Sequence, residues 1–509
     1  MKKYIKCFGI LALGMTACEP EFETPVDEMD TYSSGEADFS HYVALGNSLT
    51  SGFADNALYI TGQENSFPNI LAQKFARAGG GEFTQPLMAD NAGGLLLGGN
   101  QIADTRLVLR IGQDGSQAPV NYRGAAPTTE VTEKLAGPFN NMGVPGARSY
   151  HLLAEGYGNV EGVATGMANP YFARFASTSS ASVIEDAVAQ DPTFFTLWIG
   201  NNDVLGFATS GGDGQDQTGN PDPATYGSSD ITDPQVFASV YSQLVEALVA
   251  NEAEGVLINI PPVTAIPFLN TVPPNAIPLD AATAGMLNAQ FQAYNEQVLP
   301  GLAQAGVITQ EEAEARQISF SEGQNYVTLQ DEDLTDISDI LQSPRFGLPP
   351  EMAEMLGQLR QATSEDLIPL PVSSILGTTV NDDPTQIMGV SVPLSDEHVL
   401  TPVEQEMVQT ATAAYNQVIQ NVAQQHGLAL LDTHTLLSGL AENGIPYEGG
   451  TLTAEFGTGG VFSLDGVHLT PRGNALVADR LIDVIESTYG ADLPGVDLGN
   501  YATVTPSND

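Results

Sequence analysis

Four short apolar runs constrain this chain more than any other feature. They are HYVAL (41–45), TFFTLWI (193–199), GVLINI (255–260) and LALLD (428–432). None alternates polar with apolar residues, so neither face of the strands they would form can meet water. Unalternating strands of this kind belong to parallel sheets covered on both faces. Helical patterns fill the intervals. PQVFASVYSQLVEALVANEA (234–253) sets Val236, Val240, Leu244 and Leu248 on one face, and GVLINI follows at once. TPVEQEMVQTATAAYNQVIQNVAQQHG opens with Thr401 as N-cap, Pro402 in the first turn and Glu404 completing a capping box. It closes at Gly427, directly before LALLD. Strand–helix–strand alternation predicts an α/β three-layer sandwich, with a central, mainly parallel sheet flanked by helices.

Long Gly-, Pro- and Asn-rich stretches interrupt the alternation at 79–140, 205–233 and 261–400. The strands resume afterwards with unchanged character, so these stretches read as insertions in one domain over 40–490, followed by a tail at 491–509. A separate subdomain around 270–395 is an alternative. The 42% apolar content supports a large core. With 62 Asp+Glu against 16 Lys+Arg, the formal charge of -46 repels phosphate backbones and excludes a nucleic-acid partner. Such acidity fits either a high-salt habitat or lineage-wide composition.

The N-terminus predicts export. Lys2, Lys3 and Lys6 precede CFGILALGMTAC, an apolar stretch too short to be an ordinary membrane span and ending in small residues. Residues 1–17 therefore read as a signal peptide. Met15-Thr16-Ala17-Cys18 resembles a bacterial lipobox, which makes Cys18 the lipidation site and the mature N-terminus; an ordinary cleaved signal with a chance cysteine is the alternative. The acidic stretch at 18–39 reads as a flexible tether. It is similar to surface-export signals of some Gram-negative lipoproteins, which implies an anchor at the cell envelope, on the outer membrane, with exposure at the cell surface as the further reading.

In open α/β sheets, functional residues gather at the carboxyl ends of the strands. Gly46-Asn47-Ser48 follows the first run and Gly200-Asn201-Asn202-Asp203 the second. Near the C-terminus, Asp465-Gly466-Val467-His468 precedes a helix opened by Thr470 and Pro471. A serine nucleophile needs a neutral imidazole to take its proton, a carboxylate to orient that imidazole, and donors for the oxyanion. Asp465 lies three residues before His468 and can serve it within one tight loop. Backbone N–H groups near Ser48, a glycine N–H and the Asn202 amide are candidate donors.

These blocks resemble the SGNH (GDSL-type) serine hydrolases, the esterase/lipase family, in their order along the chain. GNSLTSG resembles the nucleophile block at Ser48, NNMGVPGARS the second block, GNND the G-x-N-D block, and DGVH the D-x-x-H block. The resemblance implies Ser48, Asp465 and His468 as catalytic residues. It implies an oxyanion hole from Ser48, Gly146 and Asn202, with Gly143 competing for the place of Gly146. The chain departs from the family at Asn47, where an aspartate is usual. No cofactor and no metal are implied, and no obligate protein partner. The expected activity is hydrolysis of small-molecule or glycan carboxylic esters through an acyl-serine. A lipase or phospholipase acting on long acyl chains, and a non-catalytic surface lipoprotein binding glycans or proteins, are the alternatives.

Competing readings attach to several residues. Ser48 alone reads as a helix N-cap, and Asn202 as a turn asparagine. Asp203 reads as a structural link between loops. Asp432 and His434, just past a strand, rival Asp465 and His468 but match no family block. The acidic stretches GGDGQDQTGNPD (211–222) and QDEDLTDISD (330–339) read as solvated surface, the former departing from the EF-hand pattern.

Overall fold

The computed structural model describes residues 32–112, 115–504, 506 and 507. Residues 1–17, read above as a signal peptide, and Cys18 lie outside the described residues. The central sheet is built from β1 (Tyr42–Gly46), β2 (Asn141–Gly143), β3 (Phe194–Trp198), β4 (Glu254–Ile258) and β5 (Ala429–Leu431). Its order is β5-β4-β3-β1-β2, and every neighbouring pair is parallel. All residues of β1 and β3 are buried, as their unalternating sequences demand. Four strands fall within the apolar runs to within a residue or two. β2 is three residues, Asn-Met-Gly, and carries no apolar pattern of its own; pairing with β1 makes it a strand.

The sheet's pleat sorts its side chains. Phe194 stacks edge-on against Phe75 and Tyr489, and Trp198 against Phe67. These partners belong to α2 (Phe67–Phe75) and α7 (Pro471–Tyr489), which pack on each other. Between them in sequence come α3 (Asn202–Thr209), α4 (Pro234–Leu248), α5 (Pro402–His426) and α6 (Thr433–Asn443). A 4.4 Å ring contact between Phe237 and Tyr415 joins α4 to α5. Each buried aromatic or leucine here contributes roughly 2 kcal/mol of apolar burial. Helix α5 has the predicted capping box between Thr401 and Glu404 and ends at Gly427 with φ +66°.

The tether reading of 18–39 gives way from residue 33 onward. Ser33 and Asp492 exchange both backbone hydrogen bonds, and Phe39 lies buried at 4.0 Å on Phe75. An apolar ring at 39 and a strand-like edge at 33 cost less folded than solvated. The tail read at 491–509 is packed where it begins, since Leu493, Val496 and Leu498 are buried in the main core.

The longest insertion forms a second hydrophobic cluster that runs from Val272 to Val399. Arg316, fully buried, pairs with Glu312 at 2.7 Å and donates to the Gly357 carbonyl. Arg360 is held between Asp331 and Asp366. Among the described residues no helix is long and apolar enough to cross a membrane.

Candidate active site

Because the sheet is parallel, the C-terminal ends of all its strands open at one edge. Ser48 begins the four-residue helix α1 (Ser48–Ser51) two residues past β1. The cap is not Ser48 but Asn47, whose Oδ1 accepts the Leu49 N–H at 3.0 Å. Asn47 Nδ2 donates to Asn201 Oδ1 at 3.1 Å, with both amides buried. A neutral amide thus replaces the aspartate usual before the serine, and it ties the β1 and β3 loops together. Freed of capping, the Ser48 hydroxyl points elsewhere.

It meets His468. Ser48 Oγ lies 2.9 Å from His468 Nε2, and His468 Nδ1 lies 3.0 Å from Asp465 Oδ2. The carboxylate only accepts, so Nδ1 carries a proton, and in the neutral ring Nε2 is then the acceptor to which Ser48 donates. Residues 420 positions apart are joined by the loop 463–468, which the Ser463 N–H closes on the His468 carbonyl. Burial works against the Asp465 charge, but the His468 ring and the surrounding donors outweigh it and hold the carboxyl well below the usual range. Those donors are the N–H groups of Asn56, Val467 and His468 and the Ser463 hydroxyl. Phe53 packs against the imidazole, with ring centroids 4.7 Å apart.

Sequence reasoning missed this supporting set. The turn after α1 grips the acid loop from behind: Asp55 Oδ1 accepts the Leu464 N–H, and the Asp55 N–H donates to Ser463 Oγ. These bonds cross more than 400 positions, and no local pattern announces them.

The candidate donors for an oxyanion are placed as follows. The Ser48 N–H is the first of its helix and has no intrahelical acceptor. Gly146 sits at φ +78°, and its N–H donates to no acceptor among the described residues. Gly143, the rival, is unsuited: its N–H donates to Asn141 Oδ1, and a Cβ there would stand 2.4 Å from the Ser51 nitrogen. Asn202, the first residue of α3, donates one Nδ2 hydrogen to the Ala147 carbonyl at 2.9 Å, which fixes the amide beside Gly146 and leaves a second hydrogen. Asp203 is buried and accepts from both the N–H and the hydroxyl of Ser149. Burial pushes its carboxyl up while Ser149 opposes the shift, so Asp203 is a link that holds the second-block loop.

Asp432 and His434 do different work. Asp432 caps α6 and takes the Asn259 amide, and the His434 N–H donates to Asn259. A large cavity, about 1030 Å³, borders His41 and Asn140 where the chain enters β1 and β2. That is the end of the sheet opposite Ser48, so its size says nothing about the chemistry.

An imidazole so placed can take a serine proton as the oxygen attacks a carbonyl carbon and return it to a leaving group. The N–H groups and amide can accept the charge that develops on the carbonyl oxygen. A family model described as GDSL-like lipase/acylhydrolase matches residues 42–326, more than half of the chain. The match includes Ser48, Gly146 and Asn202 and stops before Asp465 and His468. No curated protein and no solved structure matches the chain.

Proposed function

The chain belongs to the GDSL-like lipase/acylhydrolase family, and from that premise we propose that it is an exported serine esterase working through an acyl-serine. The observation that carries this reading is the continuous hydrogen-bond relay from Asp465 through His468 to Ser48. Ser48 Oγ attacks the ester carbonyl while His468 Nε2 takes its proton. The N–H groups of Ser48 and Gly146 and the amide of Asn202 receive the oxyanion. The tetrahedral intermediate collapses as His468 protonates the departing alcohol. Water, deprotonated by the same imidazole, then attacks the acyl-serine and returns Ser48 with release of the acid. Asp465 stabilises the imidazolium at each stage.

Labelling by a fluorophosphonate probe and turnover of 4-nitrophenyl acetate test the reading. Wild-type protein should do both, and Ser48→Ala should lose the label and about 10³-fold or more of the turnover. Equal labelling and turnover by Ser48→Ala sinks the mechanism. Inert wild-type protein favours the glycan- or protein-binding lipoprotein instead.

One contact favours a second reading, a lipase with the insertion as lid. The Phe268 N–H, at the start of that insertion, donates to the Gly466 carbonyl inside the acid–base loop at 3.0 Å. A series of esters from acetyl to palmitoyl separates the two: rising kcat/KM with chain length supports the lipase. The envelope anchor rests on Met15-Thr16-Ala17-Cys18. Cys18→Ala should move the protein from the membrane fraction to the soluble fraction, and a wild-type protein already soluble overturns the anchor.

A further inference from the structure

We propose that Glu332, Asp396 and Glu404 form a calcium site that fastens the inserted segment to helix α5. One carboxylate oxygen from each residue lies within 4.8 Å of those of the other two. Glu332 comes from the second hydrophobic cluster's side of the seam, next to Asp331, which Arg360 holds. Asp396 lies on the segment that returns to the main body. Glu404 is the third residue of α5, whose Val408, Ala411 and Tyr415 belong to the main core. A cation here therefore bridges two separately packed apolar clusters.

The second observation is an unmet acceptor. Glu404 is only 2% exposed, and its Oε2 takes the Thr401 N–H in the capping box. Its Oε1 is buried with no N–H or hydroxyl donor, and the Glu332 carboxyl set against this side chain can partner it only by sharing a proton. Asp396 Oδ1 is likewise buried without such a donor, and its side chain too faces the Glu332 carboxyl. A buried oxygen with no donor costs free energy, and a metal ion bound at the cluster relieves both at once. Among the described residues, none of the three carboxylates pairs with a lysine, arginine or histidine. Nearby Asp213 and Asp331 add to the negative field, and burial followed by the closeness of Glu332 pushes the Asp396 carboxyl upward. The half charge at the N-terminus of α5 opposes a cation, and the three carboxylates offset it only once the ion has displaced the protons they share.

The donor set selects the ion. It is all oxygen, with no cysteine or histidine, which suits hard cations rather than zinc. The ligands come from three separate segments, a turn at Glu332, a short 3-10 helix at Asp396 and the first turn of α5 at Glu404. Calcium accepts such irregular sets of six to eight oxygens, whereas magnesium demands near-ideal geometry. The site lies apart from the Ser48 relay, so the proposal does not rest on the esterase reading.

Isothermal titration of the full chain, stripped with a chelator, tests it directly with CaCl2 and, separately, MgCl2. The expected result is one calcium ion bound with a Kd at or below about 10⁻³ M, at least tenfold tighter than magnesium, with a matching rise in Tm. Glu332→Gln, at an exposed position that should not disturb folding, should weaken calcium binding at least tenfold. Glu397→Gln, an exposed neighbour outside the cluster, should leave it unchanged. No calcium heat up to about 10 mM (a ceiling tenfold above that Kd), equal binding of both ions, or undiminished binding by Glu332→Gln would each overturn the site.

Discussion

Asp465 shows how a single carboxylate can be held charged inside a protein. Burial disfavours the charge, and only the imidazole with the donors from 56, 463, 467 and 468 reverses that preference. The substitution Asp465→Asn keeps the shape of the side chain but lets His468 adopt the wrong tautomer. The expected fall in kcat is about 10²- to 10⁴-fold with little change in KM, read on 4-nitrophenyl acetate. A KM effect without a kcat effect would assign Asp465 to binding instead. His151 makes the opposite case. Half-buried against Tyr157 and beside Arg148, its imidazole is pushed down to about 4, so it is neutral in the fold. A histidine whose folded pKa is depressed gives stability that is complete above its unfolded value, about 6.5, and lost as pH falls toward 4. The loss amounts to roughly 2 to 3 kcal/mol after allowing for residual exposure. His151→Asn, which can still accept the Arg148 N–H, should flatten the denaturation slope between those pH values. An unchanged slope would place the acid sensitivity elsewhere.

At the scale of elements, the main helices and strands were legible because their signals are local. Thr401, Pro402 and Glu404 announce α5, Gly427 ends it, and Thr470 caps α7 through the Gly473 N–H. The relay residues were legible too, since each block sits at a strand end or helix start. What escaped was long-range. β2 exists only by pairing with β1, Asn47 rather than Ser48 caps α1, and Asn56 and Ser463 reach Asp465 only in three dimensions. The acidic stretch at 330–339 looked like plain solvated surface because Glu404, its partner across the seam, is 72 residues from Glu332. Tyr489 is another such contact. Its hydroxyl, at the end of α7, donates to the Gly255 carbonyl and accepts from the Gly255 and Ala429 N–H groups. It thereby joins the N-terminal ends of β4 and β5, away from Ser48. Tyr489→Phe should cost about 1 to 3 kcal/mol in denaturant unfolding by orphaning buried backbone groups. Its kcat should match wild type; a large kcat loss would mean the two ends of the sheet are coupled.

For the whole molecule, the charge of -46 is the dominant long-range term. All five lysines occur by residue 134, so most of the chain has only arginines and histidines to offset its carboxylates. Folding brings these charges closer together than they stand in the unfolded chain, and their mutual repulsion opposes the compact state. Screening acts on that repulsion directly. The Debye length falls from about 30 Å at 0.01 M salt to about 8 Å at 0.15 M and 3 Å at 1 M. At the shortest length only neighbouring charges still interact, while pairs such as Arg360 with Asp331 and Asp366, being nearly buried, lose little. Tm should therefore rise by roughly 3 to 10 °C between 0.01 and 1 M NaCl, with most of the gain below about 0.3 M. KCl should act identically, because screening depends on ionic strength and not on the ion. CaCl2 at matched ionic strength should add a further step if Glu332, Asp396 and Glu404 bind it, and Glu332→Gln should remove that step alone. A Tm that is flat or falling in NaCl would mean that the acidic surface is too widely spaced to strain the fold. The acidity would then belong to hydration or lineage rather than to stability.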